Sequence, residues 1–226
     1  MNMPDPILIT GAARSGTSMV AEIIKTCGAF GGDTGGPHRN NKHGMFENLQ
    51  IRKLLEKPYL SKIGADPKAQ YPLPTTSDLW IPKDWRRTVH DIMLAEGYPG
   101  SGQWFVKSPK ICLVWPVWAY AFPQAKWIVV RRQDEDIIRS CLHTGFMNHY
   151  QDKEGWQHWL NIHKQKFREM IEEGLNIRMV WPEKLVHGDY GGIMETIDWL
   201  RLNWAGSKVH NCIEPKLWKA RGGNKK

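Results

Sequence analysis

One segment constrains this chain more than any other: the glycine-bracketed turn Gly11-Ala12-Ala13-Arg14-Ser15-Gly16-Thr17-Ser18. Before it, Pro6-Ile7-Leu8-Ile9-Thr10 reads as a short buried strand. After it, Met19, Val20, Ile23, Ile24 and Cys27 recur at helical spacing, and Gly28 closes the helix. A strand that turns tightly into a helix aims backbone N–H groups and the positive helix end at one point, which is a ready anion site. Glycine lets the backbone approach the anion's oxygens closely. An ordinary turn capped by Thr17 or Ser18 is the plainer alternative. The order of strand, glycine loop and helix favours a phosphate.

The rest of the chain repeats the alternation. Gln103-Trp104-Phe105-Val106-Lys107 reads as a second strand, and the apolar run 111–122 as a helix despite Pro116. Lys126 to Arg132 is the clearest strand, and Asp134-Glu135-Asp136 opens a helix whose acidic first turn complements its dipole. That helix turns Ile137, Ile138, Cys141 and Leu142 inward. Helices over 156–173 and 193–204 flank a fourth strand at 177–181. The pattern predicts an α/β fold, a central parallel sheet flanked by helices in a P-loop-like nucleotide-binding architecture. All 226 residues form a single domain in this reading. A stretch over about 58–102, broken by six prolines, is an irregular insertion or lid in which only Trp85 to Ala95 looks helical. It helps to shape the second substrate's site.

Composition narrows the partners. Lys plus Arg number 31 against 23 Asp plus Glu, a net charge of +8, which favours anions. The basic residues are dispersed, so a small polyanionic ligand fits better than nucleic acid. Mean hydropathy is −0.50 and no run approaches the ~18 apolar residues of a membrane span. Four cysteines lie far apart without a CxxC pair, as expected of free thiols in a reducing, cytoplasmic setting. Most of the twelve tryptophans, Trp80, Trp85, Trp115 and Trp118 among them, are read as core packing residues.

The loop is not that of a nucleoside triphosphatase. A GxxxxGK[ST] loop needs lysine where Thr17 stands, and the positive charge sits instead at Arg14. A guanidinium there can pair bidentately with a phosphate. Mg²⁺ would need an aspartate at the end of an apolar strand. The strand Trp127–Val130 ends in Arg131-Arg132, which suits a phosphate better than a metal. The prediction is a nucleotide anion held without metal.

At this point the residues resemble a known family. Arg14-Ser15-Gly16-Thr17-Ser18 is similar to the 5'-phosphosulfate loop of sulfotransferases that use 3'-phosphoadenosine 5'-phosphosulfate (PAPS). Lys126 to Ser140 resembles their 3'-phosphate motif, in which an arginine ends a strand and a serine follows eight residues later, as Arg132 and Ser140 do. Arg131 is the alternative anchor, one residue out of register. His43-Gly44-Met45-Phe46-Glu47 and Phe105-Val106-Lys107-Ser108-Pro109 resemble two further segments of compact bacterial- and phage-type members. Glu183-Lys184-Leu185 resembles a Glu-Asp-Leu segment, with Lys184 in place of aspartate. Pro182 replaces a tyrosine there, which leaves Trp181 as the substitute adenine contact. The late Arg221-Gly222-Gly223 is a loose counterpart of a basic phosphate loop and is read as a solvated terminus.

The resemblance implies sulfuryl transfer from PAPS to a hydroxyl or amine on an acceptor: a glycan, a lipid or a small molecule. No metal is implied. Arg14, Ser15, Gly16, Thr17 and Ser18 would hold the 5'-phosphate, and Arg132 with Ser140 the 3'-phosphate. Lys107 would neutralise charge on the leaving oxygen. Glu47 is the first choice of general base and His43 the second. Lys110 is read as a solvated lysine. Two other classes stay open: a P-loop-type nucleotide-dependent kinase, and a non-catalytic protein that binds polyanions or nucleic acid.

Overall fold

The computed structural model describes residues 3–37, 43–215 and 218. Among them, four parallel strands form one sheet in the order β2-β1-β3-β4: β1 Ile7–Thr10, β2 Phe105–Lys107, β3 Lys126–Val130 and β4 Ile177–Val180. Ile7 registers with both Phe105 and Lys126, so β1 lies at the centre with β2 and β3 on either side. The strand order thus reverses at β1, and in open α/β sheets such a reversal places the ligand site beyond the carboxyl ends of the strands.

Alternate residues of these strands serve different layers, as the two-residue period of a strand requires. Leu8, Val106, Trp127 and Val129 face one cluster, whereas Ile7, Ile9, Phe105, Ile128 and Val130 face the other. Both faces are covered, so β1 and β2 are buried throughout. Only β4, at the edge, is exposed along part of its length. The chain 103–104 also meets Phe30 through a parallel bridge between Phe30 and Trp104.

The helices follow the expected order, with differences that have local causes. After α1 (Thr17–Thr26), a helical segment runs without a break from α2 (Leu49–Ile51) through a π turn (Arg52–Glu56) into α3 (Lys57–Lys62). The sequence reading ended regular structure at Pro58. A proline ring crowds the carbonyl one turn earlier in an α-helix, and the wider π turn directly before Pro58 relieves that crowding. Beyond α4 (Trp85–Ala95), the run 111–122 divides into a 3₁₀ turn and α5 (Trp115–Ala121), which starts afresh with Pro116 in its first turn.

On α6 (Asp134–Leu142), Ile137, Ile138 and Cys141 are buried, but Leu142 is 41% exposed where the helix ends. α7 (Lys153–Glu172) starts earlier than its apolar pattern because Asp152 caps the Gly155 N–H at 2.7 Å. Past α8 (Pro182–Val186), α9 (Gly191–Trp199) stops short of Trp204. Arg201 adopts φ 59°, and Leu202 N–H bonds back to the Ile197 carbonyl, closing the helix in a Schellman turn. α10 (Ser207–Asn211) follows.

Residues Tyr59, Leu60, Ala65, Ala69, Trp85, Val89 and Met93 of the 58–102 stretch pack into the same cluster as Leu8 and Val106. Trp85, Trp115 and Trp118 are core residues, as read from sequence. Trp80 is not: it is 43% exposed. Its ring rests on Tyr59 and under the Lys62 ammonium, 4.5 Å from the ring centroid, so a lysine stem covers it rather than the core. No helix among the described residues is long and apolar enough to cross a membrane.

Candidate active site

The turn between β1 and α1 is a cradle built around its glycines. Gly16, the residue before α1, has φ 97°, and a Cβ there would lie 2.9 Å from the Trp218 ring and 3.0 Å from Pro182. A Cβ on Gly11 would lie 2.5 Å from the Val130 carbonyl oxygen. Arg14 is held at φ 72°, a left-handed conformation that costs a residue with a side chain on the order of 1–3 kcal/mol. Gly16 at the N-cap position has no side chain to cap α1, so the helix's first N–H groups keep their capacity for an anion. Ser15 is fully buried, and its Oγ has no hydrogen-bond partner among the described residues.

The ends of β3 and α6 bring more cationic and polar groups to this turn. Arg14 Nε donates to Ser140 Oγ at 2.9 Å, and Arg132 Nη1 donates to the Arg14 carbonyl at 3.1 Å. Arg14 therefore meets Arg132 and Ser140, more than a hundred residues further along the chain, at one point. Burial first, and Arg14 as a neighbouring like charge, pull the Arg132 guanidinium below the usual arginine range, while Asp136 opposes them. Burial does the same to Arg14. Two desolvated cations that repel each other are stabilised by an anion placed between them.

A second group of charges lies at the end of β2. Lys107 Nζ donates to the Met45 carbonyl at 2.8 Å and to Ser18 Oγ at 3.4 Å, and pairs with Glu47 Oε1 at 3.3 Å. Ser18 Oγ also donates to the Met45 carbonyl, so the loop before Glu47 is tied to the first turn of α1. Phe46, beside Glu47, is held at φ 56°. The other Glu47 oxygen faces Lys110 and Arg52, each at 3.7 Å. Burial alone would raise the Glu47 carboxyl; Lys107, then Lys110 and Arg52, outweigh it and hold the carboxyl down at about 2. Burial also draws Lys107 below the usual lysine range against the pull of Glu47. With three cations on one carboxylate, the group is ionised at neutral pH.

A carboxyl held low adds stability above its ordinary value of 4.5 and loses it as pH falls from there towards about 2. Its full contribution is on the order of 3 kcal/mol. Urea unfolding of the wild type and of Glu47→Gln should accordingly differ most near neutral pH, with the gap narrowing as pH falls below 4.5 and closing only towards about 2. A constant difference across that range would contradict the assignment.

Several residues were not legible from sequence in these roles. Lys110, read as solvated, is 6% exposed and lies between Glu47 and Glu56. Its stem is enclosed because the chain turns inward at the end of β2, a contact that spacing does not reveal. Glu56, 2% exposed, accepts a hydrogen bond from Ser108 Oγ at 2.9 Å. Trp218 covers the Arg132 guanidinium, 4.1 Å from its ring centroid, as well as Gly16. Trp181 stands at the end of β4 with its ring 5.7 Å from Arg131, whose guanidinium also faces Phe167. Arg131 itself lines a small cavity with Ala12, Arg132, Asp134, Lys164 and Phe167. His43 faces Glu22 at 3.0 Å and Glu214 at 3.4 Å; the hydrogen bond to Glu22 leads in raising its pKa. Arg221-Gly222-Gly223 lies outside the described residues.

No family model matches the chain, and no curated protein matches its sequence. Solved structures do match its fold. Sulfotransferase STF1 from Mycobacterium tuberculosis aligns with a TM-score of 0.60 at 14% identity, covering 93% of this chain and 71% of that one. The sulfotransferase domain from the curacin biosynthetic pathway aligns at 0.59 and 12% identity, over 95% of this chain and 79% of the domain. The sulfotransferase domain of the Synechococcus PCC 7002 olefin synthase aligns at 0.51 and 15% identity, over 98% and 85%. The chain has the α/β fold that these sulfotransferases share.

Proposed function

We propose that this chain is a sulfotransferase that takes a sulfuryl group from PAPS and passes it, by in-line displacement, to a hydroxyl or amine acceptor. The observation that carries the proposal is the meeting of Arg14, Ser140 and Arg132 at the uncapped start of α1. The shared fold supports it. An adenosine ligand phosphorylated at both its 3' and 5' positions needs two anion-binding groups close together, and no divalent ion enters this scheme. The Gly16, Thr17 and Ser18 N–H groups with Arg14 hold the 5'-phosphate. Arg132 and Ser140 hold the 3'-phosphate, and Trp181 offers a face to the adenine. The setting proposed is cytoplasmic.

In the transfer step the acceptor oxygen attacks sulfur while the bond from sulfur to the bridging oxygen breaks. Lys107 neutralises the charge that gathers on that oxygen, the kind of preorganised electrostatic contribution that often dominates catalysis. The acceptor's proton goes to Glu47. In the resting site Lys107 pairs with Glu47 and suppresses its basicity. As Lys107 turns to the leaving oxygen, that suppression weakens when the base is required. The 58–102 stretch is assigned to the wall of the acceptor site, and the acceptor itself is a glycan, a lipid or a small molecule.

Calorimetry with adenosine 3',5'-bisphosphate, AMP and ATP, each in EDTA and in Mg²⁺, tests the donor assignment. The bisphosphate should bind in EDTA at least roughly tenfold more tightly than AMP, the value of one charge-assisted phosphate contact. A preference for ATP that depends on Mg²⁺ would replace this reading with a kinase. Salt-sensitive binding to DNA or RNA with no affinity for the bisphosphate would replace it with a polyanion-binding protein.

A further inference from the structure

The proposed mechanism does not use Glu56, yet burying a carboxyl is costly. It is 2% exposed, and its Oε1 is buried without a hydrogen-bond partner among the described residues. A buried carboxylate with one oxygen unmatched is not retained for stability, since an apolar residue of similar volume serves as well or better. The π turn Arg52–Glu56 carries this side chain inward, and such turns concentrate at functional sites. Its other oxygen takes the Ser108 hydroxyl at 2.9 Å and faces Lys110 at 3.8 Å. Lys110 in turn faces Glu47 at 3.7 Å. One ammonium group is therefore shared by two carboxylates.

We infer that Glu56 is a positioning residue that acts on Glu47 through this shared lysine, so that the base of the site is a coupled carboxylate pair. The inference rests on the sulfotransferase reading, because it concerns what remains around Glu47 after Lys107 turns to the donor. Glu47 then keeps Lys110 from the end of β2 and Arg52 from the π turn. With Glu56 also claiming Lys110, two carboxylates lean on one ammonium, and the pair takes up a proton more readily than a carboxylate holding that ammonium alone. Burial, with Glu47 among the like charges, raises the Glu56 carboxyl; Lys110, Ser108 and Lys107 oppose this. The acceptor's proton passes to Glu47 as the sulfuryl group passes to the acceptor oxygen, Glu56 raising its affinity for that proton through Lys110, and Glu47 releases it to solvent after the nucleotide leaves.

Carboxyl ¹³C NMR of the full chain, labelled at glutamate and titrated from about pH 4 to about pH 8 with and without adenosine 3',5'-bisphosphate, tests the coupling. Glu56 should titrate above the ordinary glutamate value of about 4.3. The Glu47 carboxyl carbon should show an inflection at the same midpoint, because Lys110 relays the charge. Glu56→Gln should abolish that inflection, and Glu56→Asp should restore it. Slow release of sulfate from PAPS, with water as acceptor, supplies a second readout: in Glu56→Gln its acidic limb should move down by at least roughly one pH unit. A merely structural role would lower stability or rate without moving the limb.

A Glu47 resonance that stays flat while Glu56 titrates overturns the inference, and so does a wild type in which no buried glutamate titrates above about 4.3. If Glu56→Gln does not fold, the wild-type titration decides. Failure of the bisphosphate to bind would sink the sulfotransferase reading, while the titration of the free protein still decides whether the pair is coupled.

Discussion

Lys107→Met is expected to lower the single-turnover rate of PAPS consumption by at least about a hundredfold while leaving affinity for adenosine 3',5'-bisphosphate within a few-fold of wild type. The asymmetry follows from where the ammonium acts. Lys107 lies at the end of β2, 4% exposed, and touches Ser18 and Glu47 rather than Arg132 or Ser140. Its interaction with the nucleotide strengthens only as charge builds on the leaving oxygen, so its removal costs the transition state more than the ground state. Methionine keeps the stem's volume and leaves Glu47 with Lys110 and Arg52, so the fold should survive. Rapid-quench measurement with labelled PAPS separates the two effects. Equal losses in binding and rate would place Lys107 in simple ligand binding.

Arg132→Ala should act in the opposite sense. Affinity for the 3',5'-bisphosphate should fall by roughly ten- to a hundredfold, the value of a hydrogen-bonded charged contact, while affinity for AMP changes little. The difference between the two ligands is the 3'-phosphate, and the predicted loss is confined to it. Arg132 also supports the turn through its bond to the Arg14 carbonyl and lies against Trp218. Arg132→Lys keeps the charge but not the planar fork, and should recover only part of the affinity. If the variant weakens both ligands equally, Arg132 supports the turn and does not read the 3' position.

The legible parts of this molecule are those in which neighbours in sequence are neighbours in space. β1, the glycine loop and α1 are contiguous, and the reach from Arg132 to Ser140 spans one strand end and two turns of helix, so spacing alone signals them. Glu47 could be picked out as an acid in a recognisable segment. Its environment could not, because Lys107, Lys110 and Arg52 converge on it from two other elements. Lys110 follows a proline and precedes an apolar run, and such a lysine looks solvated until the fold encloses it. Glu56 was hidden by the π turn, which sends its side chain to a different face from the one a regular α-helix would give. Trp218 meets Gly16 across nearly the whole chain, and Arg132 from far off as well, contacts with no local trace in sequence. Trp80 misled for the converse reason: a large aromatic can be covered by a lysine stem as well as by a core.

The central claim is that one nucleotide is gripped at both phosphates where Arg14, Ser140 and Arg132 meet. A crystal structure of the chain grown with adenosine 3',5'-bisphosphate tests it most directly. The account predicts the 5'-phosphate on the N–H groups of Gly16, Thr17 and Ser18, and the 3'-phosphate within hydrogen-bond reach of Arg132 and Ser140. A nucleotide bound elsewhere, or one whose 3'-phosphate points into solvent away from Arg132, would contradict it.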